Sequence, residues 1–162
     1  MRTLAIVTAA LLAMATGALA TPALVSVSIA PALQAKAAKT LGVREVNDLA
    51  DQLRARVERR LAKTGAYEGA RLELVLVDVQ PNRPTFKQMA DKPGLSFESF
   101  GVGGARIEGR AVTADGVATP LGYSYYEPDI AQAAMRATWS DAEWTIDRFA
   151  YRLGRGEGGV RR

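Results

Sequence analysis

Neither cysteine nor histidine occurs among the 162 residues. Without cysteine the chain forms no disulfide, builds no thiolate metal site and offers no thiol for lipid attachment. Without histidine it lacks the commonest general base and metal ligand, and with them every Ser-His or Cys-His nucleophilic pair. A Ser-Lys nucleophile is also missing, since no serine has a lysine three residues downstream. No Asp-x-Asp-x-Asp run suggests a calcium loop. Gly101-Val102-Gly103-Gly104 falls short of a phosphate loop, because Arg106 stands where the last glycine belongs and a strand, not a helix, follows. Those glycines are better read as a tight bend or a bulge. No metal and no cofactor is expected, and stability has to come from a packed core.

What is present begins with an export signal. Arg2 precedes an apolar run from Leu4 to Met14, and small residues lead to Ala18-Leu19-Ala20, the small-x-small pattern read by signal peptidase. Residues 1–20 therefore read as a signal peptide cleaved after Ala20, with Thr21 as the new N-terminus. The competing reading, an uncleaved anchor, fits poorly: the run is far shorter than the roughly 20 residues that span a bilayer, and no charged stop-transfer cluster follows. The remaining chain suits one domain, expected over residues 23–154, with no membrane span after cleavage. The formal charge is +4, one unit of it from Arg2. Export makes nucleic acid a poor partner for that charge. It leaves an anionic envelope component, set against the plainer account that a small net charge aids solubility.

Periodicity outlines the domain. Val25, Val27 and Ile29 alternate with Ser26 and Ser28, a strand with one buried face that Pro31 ends. Residues 32–42 form a connection with room for a helical turn. From about Arg44 to Thr64, Val46, Leu49, Ala50, Leu53, Val57 and Leu61 fall on one helical stripe, and Gly65 supplies the stop. Arg54, Arg56, Arg59, Arg60 and Lys63 lie off that stripe, as a solvated face or as an anion-binding one. Residues 71–79 read as an interior strand covered at least partly on both faces, with Asp78 sharing the parity of Leu72, Leu74 and Leu76. Residues 105–112 and 117–126 flank Asp115-Gly116, a hairpin signal, and Pro120 places the second of these strands at an edge. A last helix opens at Ser140, with Ser140 and Glu143 as a capping box and Trp139 and Trp144 as a hydrophobic staple. Residues 155–162 read as a flexible basic tail. The fold class is α+β: one antiparallel or mixed sheet of about four strands with two helices on one face, in the order β-α-β-(long loop)-β-β-α.

Two places invite a functional reading. The long irregular stretch 80–104 presents Asn82, Arg83, Thr85 and Phe86 together with two prolines, Pro81 and Pro84, that restrict the backbone, features suited to holding a partner at low entropic cost. The plainer reading is that the stretch wraps the sheet, with Phe86 and Met89 filling the core edge. Glu127, Asp129 and Asp141 are the carboxylates that a glycan hydrolase would need in a pair, with a tryptophan for stacking. Against that, Asp141 at a helix start serves the helix dipole and the tryptophans already have the staple.

The Val-Ser-Val-Ser-Ile strand, the charged helix, Leu-Glu-Leu-Val-Leu-Val-Asp-Val and the late Thr-Trp-Ser-Asp-Ala block, behind a signal peptide, resemble uncharacterised proteobacterial periplasmic proteins built as small α+β domains. In broad layout the chain also resembles small envelope accessory domains, many of which are lipoproteins, as this chain without cysteine is not. The resemblance implies a periplasmic location and carries over no catalytic residue. The leading expectation is a non-catalytic binding or accessory domain for an envelope component, acting through the 80–104 loop. The alternative is a carboxylate-dependent hydrolase acting on glycan.

Overall fold

The computed structural model describes residues 23–160. The expected signal peptide, its cleavage site and the last two tail residues lie outside them. Four strands form one mixed sheet in the spatial order β1-β2-β3-β4: β1 Leu24–Ile29, β2 Arg71–Gln80, β3 Gly104–Val112 and β4 Ala118–Tyr126. β1 and β2 run parallel, which demands a crossover, and the crossover is helical. Pro31 does end β1, but by opening a short helix, α1 (Pro31–Lys36), for which its fixed φ and missing N–H are suited. One turn of π-helix (Ala37–Leu41) buries Ala37 and Leu41 and hands over at Gly42 to the long helix α2 (Val43–Thr64).

The apolar stripe of α2 is buried along its whole length. Fully burying a Val or Leu contributes about 1.5–3 kcal/mol, so this stripe outweighs any difference in helix propensity. Gly65 ends the helix in the left-handed region at φ 69°, its N–H donating to the Leu61 carbonyl at 2.8 Å. The second long helix, α5 (Ser140–Leu153), packs beside α2 and over β3 and β4. Ile146, Phe149 and Leu153 close the core against Leu72, Leu74, Ile107 and Leu121. The two long helices thus cover one sheet face, and the architecture is the expected α+β layer.

The other face of the sheet is polar. Arg71, Glu73 and Arg110 form a cross-strand ladder with ion-pair distances of 2.8 and 2.6 Å, and Arg106 pairs with Glu108 at 2.8 Å. Val75 and Val77 are only half-buried there, so β2 is interior within the sheet but carries a layer of helices on one side alone. Its parity also changes part-way. Leu76 pairs with Ile107 and Asp78 with Arg106, leaving Val77 as the extra residue of a β-bulge. Beyond the bulge Val79 is buried, and Asp78 turns away from the leucine face, contrary to the parity read from the strand alone. There its carboxylate takes Lys36 and the Tyr126 hydroxyl, each at 2.8 Å.

Three further expectations are corrected. α5 has no capping box: Ser140 is its first helical residue, and the Ser140 hydroxyl accepts the Ala137 N–H behind it at 2.9 Å. The tryptophans do not staple each other. The Trp139 indole donates to Glu45 on α2, and Trp144 lies against Tyr125 with ring centroids 4.6 Å apart. The segment after Gly154 departs from a solvated tail as well. Gly158 is buried, its carbonyl accepts the Gly122 N–H at 3.0 Å, and Gly159 bridges Leu121 on the outer edge of β4.

Candidate binding cleft

The 80–104 stretch is an ordered connection tied down from within. Asn82 is fully buried. Its backbone N–H donates to the Thr138 carbonyl at 2.7 Å and its carbonyl accepts from Gly101 at 2.8 Å. The side-chain oxygen accepts the Asp141 N–H at 3.0 Å, and the side-chain amide donates to the Asp141 carboxylate and, at 3.4 Å, to the Gly101 carbonyl. Arg83 spends its guanidinium on backbone carbonyls: Arg136 at 2.7 Å, Ala134 at 2.6 Å and Phe97. Those first two carbonyls lie just past the short helix α4 (Ile130–Ala133), where a cation suits the open C-terminal end. Thr85 is buried and caps another short helix, α3 (Phe86–Asp91), in a reciprocal capping box with Gln88.

Of the four residues singled out in the loop, three therefore hold the loop itself. Phe86 differs: it is 72% exposed, and Phe97 at 52% meets it edge to face with centroids 5.6 Å apart. Neither ring fills the core edge. They form one wall of a cleft of about 720 Å³ whose opposite wall is the N-terminal part of α2, with Val43, Arg44, Asp48 and Gln52. Trp139 adds a third apolar surface, its ring fixed by the 2.8 Å bond from its indole N–H to Glu45. The volume falls within the range of small-molecule and side-chain pockets, and the lining is aromatic with a charged rim, Lys87 among it.

The three carboxylates considered for glycan hydrolysis stand elsewhere, and none of them lines this cleft. Asp141 is buried, with its oxygens facing Asn82, the Gly103 N–H at 3.3 Å and Arg136 at 3.5 Å. Glu127 is buried too, accepting the Tyr125 hydroxyl at 2.8 Å and the Asp129 N–H at 3.1 Å. Asp129 caps α4 through the Ala131 N–H. The bond to Glu127, and then burial, raise the Tyr125 hydroxyl above its ordinary pKa, because ionisation would set a phenolate against a carboxylate. The acids that do line the cleft, Glu45 and Asp48, sit one turn apart on a single helix. A glycosidase needs its two carboxyls on opposite sides of a sugar bond.

No protein-family model matches the chain, and no curated protein does. Sequence reading reached Phe86 but missed Phe97, Val43 and Trp139 as its neighbours. The signal available for α3 was the Thr85-x-x-Gln88 spacing, which marks a helix start. Nothing local marks the approach of the loop to α2, because it runs through the start of α5: Asn82 bonds Asp141, 59 residues on, and Trp139 bonds Glu45 of α2.

Proposed function

We propose that the protein is a periplasmic binding or accessory domain without catalysis, which recognises an envelope protein by taking an apolar side chain into the cleft between the 84–97 segment and α2. The observation that carries this is the pair of exposed phenylalanines, Phe86 and Phe97, on a loop whose polar groups are bonded internally. Large aromatic surface left in water is unfavourable for a free domain. A rigid loop loses little entropy when it gains a partner, so such a patch suits recognition. The periplasmic setting rests on the signal peptide and on the resemblance in layout.

The test is Phe86→Ala with Phe97→Ala, in cells carrying a photo-crosslinking residue at Lys87 on the cleft rim. Arg83 is left intact, because its bonds hold the loop and its loss would confuse folding with binding. The expected result is one discrete crosslinked partner in the otherwise wild-type chain and its loss in the double variant, with an unchanged thermal midpoint. An identical crosslinking profile in the two chains refutes the reading.

A further inference from the structure

The C-terminal half of α2 and the exposed side of α5 meet in a surface that the cleft does not use. Arg56, Arg59, Arg60 and Lys63 of α2 line a shallow groove, and Tyr151 of α5 forms its other side. Their spacing of three, one and three residues gathers them on one side of the helix. On α5, Trp144, Arg148 and Tyr151 recur at intervals of four and three, which aligns them too, and Arg155 follows just past the end of the helix. The Tyr151 ring is the centre of the surface. The Arg60 guanidinium lies 4.6 Å from its centroid, Arg155 5.9 Å and Arg148 6.0 Å.

The charges here are poorly balanced. Asp147 neutralises Arg56 and Glu157 pairs with Arg155 at 2.9 Å. Arg59, Lys63 and Arg148 are exposed, and among the described residues no carboxylate pairs with them. Elsewhere most cations are answered, Arg54 by Asp51, Arg71 and Arg110 by Glu73, Arg106 by Glu108; Lys39, Arg44 and Lys92 are exposed without a carboxylate partner among the described residues, but none of them lines this groove. Three unpaired cations thus share one face with two large aromatics, Trp144 at 44% exposure and Tyr151 at 42%.

We infer that this α2–α5 face docks on an anionic phospholipid surface. Phosphate headgroups complement the unpaired cations. Tryptophan and tyrosine are the side chains that settle at headgroup depth, with an apolar ring body and a polar tip. An anion bound from solution needs no exposed rings beside the cations, whereas a bilayer interface uses both. Among the described residues no helix is long and apolar enough to cross a membrane, and this face would attach reversibly, by headgroup contact.

The test uses the exported full chain and flotation with vesicles. Phosphatidylethanolamine–phosphatidylglycerol vesicles are set against phosphatidylcholine alone. The expected result is partition to the anionic vesicles only, weakening as salt is raised. Arg59→Gln, Lys63→Gln and Arg148→Gln combined remove the unpaired cations without breaking an ion pair. Each basic group near such a surface is worth about a fivefold factor in partition, so the triple variant should bind about a hundredfold more weakly. A control with the same charge change on the open sheet face (Arg71→Gln, Arg106→Gln, Arg110→Gln) should bind nearly as wild type. The Phe86→Ala, Phe97→Ala chain should also float as wild type, which separates this surface from the cleft. The inference is overturned if wild type stays with the soluble fraction or binds phosphatidylcholine equally. It is overturned too if both triple variants lose binding alike, or if inorganic phosphate at matched ionic strength releases the protein, which makes free phosphate the ligand.

Discussion

Replacing Asn82 by Ala tests whether the loop that carries the cleft is held from inside. The substitution removes the acceptor for the Asp141 N–H and the donors to the Asp141 carboxylate and the Gly101 carbonyl. Asn82 is 0% exposed and Asp141 2%, so water does not take over these bonds. A hydrogen bond to a charged group is worth about 1.5–3 kcal/mol, and a stranded buried N–H costs about 1–3 kcal/mol. The Gly103 N–H at 3.3 Å and Arg136 at 3.5 Å still serve the carboxylate, which keeps the loss below the full sum. The expected net destabilisation is about 3 kcal/mol. Gly103→Ala probes the same contact from the other side, since a Cβ there would lie 2.4 Å from the Asn82 side-chain oxygen. Asn82 is bonded in several directions and cannot retreat, so overpacking should cost about 1–3 kcal/mol. The double variant has lost the obstructing group, and its cost should fall short of the summed single costs by about 1 kcal/mol or more. Urea unfolding followed by circular dichroism reads all three, with an unchanged slope showing that stability alone has moved. A loss below about 1 kcal/mol for Asn82→Ala, or strict additivity in the cycle, refutes the anchoring argument.

Two further predictions concern the sheet. Tyr67, Tyr125 and Tyr126 all ionise above the ordinary value of 10.0: Tyr67 and Tyr126 chiefly through burial, Tyr126 also through its bond to Asp78, and Tyr125 chiefly through Glu127. A folded-state pKa raised above the unfolded one contributes stability that is complete below about pH 10 and is lost as pH climbs through the folded values. The thermal midpoint should therefore drop above about pH 10, and less steeply in a Tyr125→Phe, Tyr126→Phe chain; equal slopes would contradict the assignment. Gly158→Val places a Cβ 2.3 Å from Leu153 and 3.0 Å from Leu121. It should release the tail from β4, cost about 1–3 kcal/mol and speed hydrogen exchange at the Gly122 amide; an unchanged Gly122 rate would show that the tail does not protect this edge.

The elements legible in the sequence are those defined by a local period. The alternation of Val25, Val27 and Ile29, the stripe of α2 and the Asp115-Gly116 turn each record, within a few residues, which side faces the core. The bulge at Val77 left no such trace. It exists because β3 supplies one residue fewer over that interval, a property of the pair and not of β2, so the parity of Asp78 read from β2 alone was inverted. The opening of α5 failed for a related reason. Ser140 and Glu143 have capping-box spacing, but the chain arrives from a bend in which the Ser140 hydroxyl already accepts the Ala137 N–H. In the candidate site, residue types were readable and partners were not. Arg83 reads as a recognition side chain by composition, and only its position beside residues 134 and 136 turns it into a brace.

The two proposed surfaces are related through α2. The cleft takes its wall from Val43 to Gln52, and the basic face takes its cations from Arg56 to Lys63. At 1.5 Å per residue the centres of these segments stand about 18 Å apart along one straight helix. A domain resting on headgroups through Arg59, Lys63, Arg148, Trp144 and Tyr151 would leave its cleft unused, displaced along α2 from the docked face. Lipid binding would then confine the cleft to a thin layer above the membrane and raise its effective concentration toward a membrane-held partner. This coupling makes a prediction that neither surface makes alone. Arg59→Gln, Lys63→Gln, Arg148→Gln should leave affinity for a soluble fragment of the cleft's partner unchanged, yet lower crosslinking to that partner in the intact envelope. Equal crosslinking in the intact envelope would mean that the two surfaces act independently.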